Sequence, residues 1–588
     1  MRTGLVILLA IALCGCTGNV GNSNDGGDAD GVQDAGGDPG DDGAAGDDGA
    51  AGDDGSSTPE EIIPEDRRVE WTGNVGIPGG IPQRSTVCAT IDAGTYGNGS
   101  TDATAAIQDA LDNCPDDQVV LLPAGTYRVT GAISVRSHRV LRGEGMDATT
   151  ISYQGPTGGR SAIALSGWPN FSTGEKSVGI VSGAVKGSTT ITVDDPRYAR
   201  VGDLMLIDQL NDGDFVDPEG VEGKCTYCGR ENGDRTLGQI VEVTAVNGNQ
   251  VSFNIPLYWT YTASLLPQAT CAEARTFIRW SGVEDLTLTQ PDPSVTYLLE
   301  MQATQYCWLR NVEVERVDWR AVWMLQSLQN EIRESYFHES IAGYGRSHGY
   351  GVLVDMFSSA NLVENNIFRT LDGGFMMTAG GASGNVFGYN YMEDSRFDDL
   401  WWLTGSPSLN HAPHPMMNLW EGNIGYQATG DFIHGSSSHN TVYRSRSLGW
   451  QREETDSNNN AVSFATKNTY MNVVGCVLGT AGRSTRYEAL PGQPYSNTDV
   501  VIWALGIMHG VDDADVAATL LRHGNYDYVN NDTIWDPAIA EHALPASLYL
   551  TSKPAWFGSV PFPPIGPDVA GLTEKIPAQL RYEAMPNP

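Results

Sequence analysis

Six of the ten His fall between residues 338 and 439: His338, His348, His411, His414, His434 and His439. The same region carries Asp394, Asp398, Asp399 and Asp431, with Trp401 and Trp402 beside the second acidic pair. Two chemistries suit such residues. Carboxylates facing each other across a groove can serve as general acid and base on a glycosidic bond, with Trp rings stacking on sugar faces. Alternatively, a base such as Arg, Lys, His or Tyr can take the proton α to a carboxylate whose charge an Arg neutralises. From Cys307 to Ser463 the basic side chains are all Arg, among them Arg333, Arg346, Arg369, Arg396, Arg444 and Arg446, and Arg suits bidentate carboxylate binding.

The candidate catalytic residues are Asp398, Asp399 and His434. Those for substrate are Trp401, Trp402, Arg396, Arg444, Arg446, Trp450 and His439, with Trp420 a further stacking candidate. His411-x-x-His414 is a weak metal pair, because Pro413 and Pro415 mark an irregular loop and no third ligand is evident. No metal site is assigned and no cofactor is expected. Calcium is considered only for Asp208, Asp212, Asp214 and Asp217, and for DADGVQD at Asp28–Asp34, where a solvated acidic loop is the commoner outcome.

The elements that must position these residues are written in a repeated phrase. It reads NEIRESYF at Asn330, NLVENNIF at Asn361, NVFGYNYM at Asn385, NLWEGNIG at Asn418, NTVYRSRS at Asn440 and NVVGCVLG at Asn472. Each copy begins with Asn, and most carry Asn or Ser five residues later: Ser335, Asn366, Asn390, Asn423 and Ser445. The residues between alternate as a strand does. The copies stand 31, 24, 33, 22 and 32 residues apart, a period that means a solenoid of strand-and-turn coils. The expected fold is all-β, a right-handed parallel β-helix. A fixed Asn has a reason there: it tolerates the left-handed region, and its amide can bond the Asn above and below. The long spacings alternate with the short ones, so alternate coils carry extensions at Phe337–Ala360, Tyr391–Met417 and Ser447–Met471. Loops of a solenoid usually line one binding face, and the chemistry-bearing residues lie in those extensions.

The rest of the chain frames the solenoid. Arg2 and the apolar run Gly4–Leu13 form a secretory signal, ending in Leu13-Cys14-Gly15-Cys16. That sequence resembles a bacterial lipobox, which implies cleavage before Cys16 and lipidation of its thiol. Thr17 leans toward the outer membrane. Residues 16–66 read as a tether: from Gly18 to Pro59 there are eleven Asp and no basic residue, so the segment cannot build a core. Residues 67–181 hold the first coils, with a capping helix around Ala106, Ile107, Ala110 and Leu111. Residues 182–262 alternate strictly and turn at Asn247-Gly248, an antiparallel β insert. Residues 263–540 are the main solenoid, and the Pro- and aromatic-rich 541–588 packs along it and closes its far end.

In an exported chain Cys88 and Cys114 make a plausible staple. Cys225, Cys228 and Cys271 suggest another bridge of open pairing, while Cys307 and Cys476 read as buried thiols. The net charge of −37 disfavours nucleic acid. No apolar run spans a bilayer, so membrane contact would come through the lipid anchor alone. The oligomeric state is left open.

Gly97-x-Gly99, Asp102, Ala106-Ile107-Gln108 and Leu122-Pro123-x-Gly125-x-Tyr127 resemble the opening of the pectate-lyase-like superfamily. The resemblance is to its group of rhamnogalacturonases, glycoside hydrolase family 28 relatives and epimerase-like proteins. It implies a β-helix and a polysaccharide partner. Asp398-Asp399 followed by His434-Gly435 resembles the Asp-Asp and His-Gly motifs of family 28. No Asn-Thr-Asp precedes them and no Arg-Ile-Lys follows, Arg444-Ser-Arg446 standing loosely in that place. The reading is an exported, surface-anchored polysaccharide hydrolase. Its alternatives are a lyase acting on uronates and a non-catalytic glycan-binding adhesin.

Overall fold

The repeated Asn phrase folds into a two-strand corner. In the computed structural model, which describes residues 62–586 apart from 169–170, 172–173, 342, 345–347, 373–375, 398–400, 497 and 509–510, each phrase gives a strand of the first sheet and one of the second. Leu362–Glu364 and Ile367–Arg369 form one such pair, Leu419–Glu421 and Ile424–Gly425 another. A third strand closes each coil, as in Arg320–Leu325, Tyr350–Asp355, Ser408–Asn410 and Asn460–Phe464. All three ladders run parallel and in register, for example Val363↔Phe387↔Trp420↔Val442. The chain is an all-β parallel β-helix.

Between the first two sheets the chain turns on a single residue with positive φ. That residue is Glu334, Asn365, Tyr389, Gly422, Arg444 or Gly475 in successive copies. A second left-handed residue (Gln329, Ala360, Gly384, Met417 or His439) precedes the opening Asn of five copies. The ladder Asn therefore follows each left-handed residue and seldom occupies that conformation itself, which differs from the sequence expectation. Its role is hydrogen bonding. Asn361 Oδ1 accepts both the backbone N–H and the side-chain amide of Asn330, at 2.9 Å each. Asn361 in turn donates both to Asn385, and Asn385 to Asn418. A second ladder runs through Asn366, Asn390 and Asn423. Buried amides are thus satisfied coil by coil.

Inside the coils, Phe337 stacks on Phe368 and Phe387 on Trp420, with ring centroids 5.2 and 5.1 Å apart. Trp420 is fully buried, a core ring that no sugar can reach. Helix α1 (Thr104–Asn113) buries Ile107 and Leu111 over the first coil. Asp102 accepts the Thr104 N–H at its start, and the Cys88–Cys114 disulfide ties its end to the first strand.

Residues 177–272 form an antiparallel closed barrel of strands Ser177–Ser182, Thr190–Val193, Leu204–Asp208, Gly238–Asn247, Gln250–Phe253 and Gln268–Ala272. The barrel therefore extends beyond 182–262 at both ends. Closure requires the strands at its two margins to pair: Ser177–Ser182 bonds to Gln268–Ala272. Asp208 is buried between Arg230 and Arg235, a charge cluster rather than a calcium loop. Cys225 pairs with Cys228, and Cys271 is a buried free thiol, as are Cys307 and Cys476.

The C-terminal segment runs back along the first sheet. Tyr549 donates to Glu364, the Leu548 N–H to Glu421, and Arg581 to the Glu334 carbonyl. The last coil is finished instead by Asp532–Ile534, antiparallel to Asn525–Asp527.

Candidate functional site

The coils differ most in the connector from the second to the third sheet. It is long at 341–349, 394–407 and 448–459 and short at 370–375 and 426–427. The long connectors therefore line one margin of the third sheet, and they join each other. Trp402 bridges to Ser457, the Asp456 N–H donates to the Trp401 carbonyl, and Arg396 and Arg452 both bind Asp394.

The opposite margin is lined by the barrel loop 211–236. Its Val221 and Glu222 N–H groups donate to Phe432 and Ile433, and its Cys225–Cys228 bridge packs on Leu353, Ala379 and Ala412. Between the two margins lies the outer face of the third sheet. Strand alternation sends Val352 and Val354 into the core and leaves Leu353 and Asp355 facing out. In register, Glu300, Trp323, Leu353 and Ser463 occupy one outward row.

On this face four strands and the barrel loop bring titratable groups together. His411 Nδ1 lies 2.7 Å from Asp431 Oδ2. Burial pulls the His411 pKa down, but the charge and hydrogen bond of Asp431 outweigh it and leave the imidazole above its ordinary value. The His434 ring stands perpendicular to that of His411, centroids 4.9 Å apart. Burial, then the charge of His411, lower His434 to about 4. Glu222 lies 4.0 Å from His434 Nδ1, and the Tyr227 ring is 6.2 Å from the His434 ring. Asp355 receives the Trp323 indole N–H at 3.4 Å. Burial raises its carboxyl pKa despite the nearby charge of Arg320.

Arg320 was not singled out by sequence. Its guanidinium carbon sits 4.9 Å from the Trp319 ring centre, 5.5 Å from Tyr297 and 5.7 Å from Trp323. Its Nε is buried without a partner, and among the described residues no carboxylate lies within 4.0 Å of it. The guanidinium is thus held over aromatic faces and donates to the Tyr297 hydroxyl at 3.5 Å, with Asp355 the carboxyl its charge acts on. The sequence signal was there in Trp319-Arg320-Ala321-Val322-Trp323, where strand alternation puts both Trp on one side.

The residues singled out by sequence fall in several places. His434 is in the cluster, with His411 and Asp431. Asp398 and Asp399 lie outside the described residues, as do Cys16, the signal and most of the tether. Trp401 is exposed, edge-on to Trp402 at 5.6 Å, on the connector margin. Arg396 stands nearby, bound to Asp394 and over Tyr344, and Trp450 lies under Arg483.

Four others are corrections. Arg444 is buried under the C-terminal segment, paired with Asp568 and donating to the carbonyls of Leu544, Pro545 and Ile565. Arg446 donates to the carbonyls of Ser447, Val477 and Gly479. Both belong to the corner between the first two sheets, away from the groove, where Arg446 is spent on backbone and Arg444 on backbone and Asp568. His439 is buried, stacked on Tyr470 and edge-on to Trp259 of the barrel region. His414 is likewise a core residue, its two nitrogens held by Ser436 and Ser438.

Among curated proteins, none matches the sequence. Solved structures are similar at low identity. The tailspike protein gp49 of Pseudomonas phage LKA1 is 17% identical over 69% of this chain and 64% of its own, TM-score 0.49. The mannuronan C-5 epimerase AlgE6 A-module of Azotobacter vinelandii is 13% identical over 74% and 98%, TM-score 0.35. A polygalacturonase from Erwinia carotovora is 12% identical over 76% and 97%, TM-score 0.31. Residues 89–193, from the first strand into the barrel, match the family described as rhamnogalacturonase A/epimerase, pectate lyase-like.

Proposed function

We propose that the protein is an enzyme acting on an acidic polysaccharide laid along the third-sheet groove, and that it works by proton abstraction and β-elimination at a uronate. The observation that carries this is Arg320, without an ion pair within 4.0 Å among the described residues, on the same face as His434, an imidazole neutral at working pH, and the His411–Asp431 pair. Arg320 binds the uronate carboxylate and makes the adjacent carbon more acidic. His434 takes the proton from that carbon. The electron pair forms the new carbon–carbon double bond, and the glycosidic C–O bond breaks. The departing oxygen takes a proton from the Tyr227 hydroxyl or the Asp355 carboxyl. An anion bound beside His434 raises its basicity above that of the empty site. The exposed aromatics on the connector margin supply stacking surface.

Hydrolysis is the second reading, favoured by Asp355, whose carboxyl burial raises above its ordinary value, the direction a general acid requires. The test is to incubate the mature chain with pectins, alginate and neutral glycans. Elimination gives new reducing ends together with the ultraviolet absorbance of an unsaturated uronate; hydrolysis gives reducing ends alone; an adhesin gives binding with neither. His434→Ala should cost at least about a hundredfold in kcat, and Arg320→Ala should mainly raise KM for acidic glycans. Full activity in both variants would sink this site.

A further inference from the structure

We propose that Glu313, Glu315 and His338 form a divalent transition-metal site, best matched to Zn²⁺, that staples two successive coils on the outer face of the second sheet. The strand Trp308–Val317 buries Val312 and Val314 in the core, so alternation points Glu313 and Glu315 outward side by side. His338 lies on the next coil, in register with Glu315. One ligand atom from each of the three comes within 4.8 Å of the others.

Three further observations point to a cation there. First, His338 is only 7% exposed, its ring stacked on Tyr336 with centroids 4.1 Å apart. Its Nε2 is aimed at Glu313 Oε1, 2.9 Å away, while its Nδ1 is buried with no partner. The imidazole is locked toward the carboxylates by packing and not by bonds on its far side. Second, several neighbouring carboxylates on the solenoid's outer faces have an Arg: Glu284 has Arg142 and Arg310, Glu300 has Arg160, and Glu331 and Glu364 share Arg333. Among the described residues neither Glu313 nor Glu315 has an Arg or Lys within ion-pair distance. Two adjacent carboxylates facing one imaginable counter-charge, a buried ring, lack the cation their neighbours possess. Third, the surrounding shell is that of a ligand set. Thr287 Oγ1 donates to Glu313 Oε2 at 2.6 Å, which orients the carboxylate. Thr289, two residues along the same strand, keeps a buried hydroxyl without a partner.

An imidazole with two carboxylates selects against Ca²⁺ and Mg²⁺, which take oxygen ligands alone, and suits Zn²⁺ with water completing the set. The site is on the second sheet, separate from the groove on the third, so the ion is a staple and takes no part in proton transfer.

The experiment uses the mature chain, stripped with a chelator and titrated with Zn²⁺, Mn²⁺ and Ca²⁺ by calorimetry, with melting temperature followed in parallel. One Zn²⁺ per chain should bind in preference to Ca²⁺ and raise Tm by several degrees. Glu315→Gln and His338→Gln should each lose that binding and that rise, while His434→Gln, in the groove, keeps both. Should the Gln variants fold poorly, Co²⁺ loaded into the unaltered chain gives a second readout: visible bands of a mixed nitrogen and oxygen site. The proposal falls if the chain binds no Zn²⁺, if Ca²⁺ competes equally, if Co²⁺ shows only its aquo spectrum, or if His434→Gln is the variant that loses the metal.

Discussion

His411 and His434 sit ring to ring yet are pushed in opposite directions, and that difference fixes the pH behaviour of the site. His434 is held down to about 4 by burial and by its neighbour's charge. A base must be unprotonated, so kcat/KM should fall on the acid side only as pH approaches about 4. His411 keeps its proton to a higher pH than a free imidazole, because the carboxylate of Asp431 overcomes its burial. The alkaline limb should therefore lie above the ordinary imidazole value of 6.5 and reflect loss of the His411 proton. Asp431→Asn removes the charge that holds that proton, so the alkaline limb should move down. A pH–rate series on the two proteins decides this, and an unmoved alkaline limb would detach His411–Asp431 from catalysis. At this scale the sequence was only half legible. His434 stood out by its His-Gly neighbour, whereas Arg444, Arg446 and His439 look equally functional in a string of letters. What separates them is whether the charge finds backbone carbonyls or open groove, and that depends on coils far away in the chain.

The elements were far more legible than the site. A period of one coil repeated six times leaves its mark in every copy, so the strands, the corner and the in-register stacking could be read from Asn330 to Asn472. The detail that misled is instructive. Asn tolerates the left-handed turn, but residues as unlike as Glu334, Tyr389 and Arg444 make that turn; the Asn is kept by its ladder of bonds. Asn390 shows the consequence. Its Oδ1 accepts the backbone and side-chain N–H of Asn366, and its own amide donates to Asn423 and to the Val363 carbonyl. Asn390→Ala removes those bonds in a fully buried site and leaves donors from the coil below unmet, at a cost of about 2–4 kcal/mol. Denaturant unfolding should register that loss, and Asn390→Asp, which keeps the acceptor, should lose less if the accepted bonds dominate. Equal stability of Asn390→Ala and the unaltered chain would show that the ladder is dispensable. The barrel, by contrast, could be read as strands but not as a closed unit, since closure pairs Ser177–Ser182 with Gln268–Ala272 across some ninety residues. Its long loop 211–236, which walls the groove and brings Glu222 and Tyr227 to His434, carries no sequence mark of that destination.

For the molecule as a whole, the first sheet presents an outer face that the N-terminal and C-terminal segments cover. Trp71 donates its indole N–H to the Met417 carbonyl from one side; Tyr549, Phe557 and Ile565 bury themselves from the other. Under this cover sits Glu421, fully buried, accepting from the Tyr389 hydroxyl and the Leu548 N–H. Burial raises its carboxyl to about 7, against the opposing hydrogen bonds from Ser547, Leu548 and Tyr389 and the charge of Arg444. A carboxyl raised above its unfolded value of 4.5 binds its proton more tightly in the fold. The stability this contributes is complete below about pH 4.5 and is lost as pH rises through about 7. Above that point Glu421 carries a charge in a fully buried site beneath the segment, and the C-terminal segment should loosen from the sheet before the coils themselves open, since local units of a fold can detach below the global free energy. Limited proteolysis between pH 5.5 and 8.5 should show faster cleavage near residues 541–550 at the alkaline end. Glu421→Gln, neutral throughout, should abolish that dependence. Arg444→Ala should loosen the segment at every pH, because it leaves Asp568 without its partner and removes the Arg444 donors from the Leu544, Pro545 and Ile565 carbonyls. If cleavage in the unaltered chain does not change with pH, Glu421 is not the group that sets the hold of this segment, and the buried Arg444–Asp568 pair carries it alone.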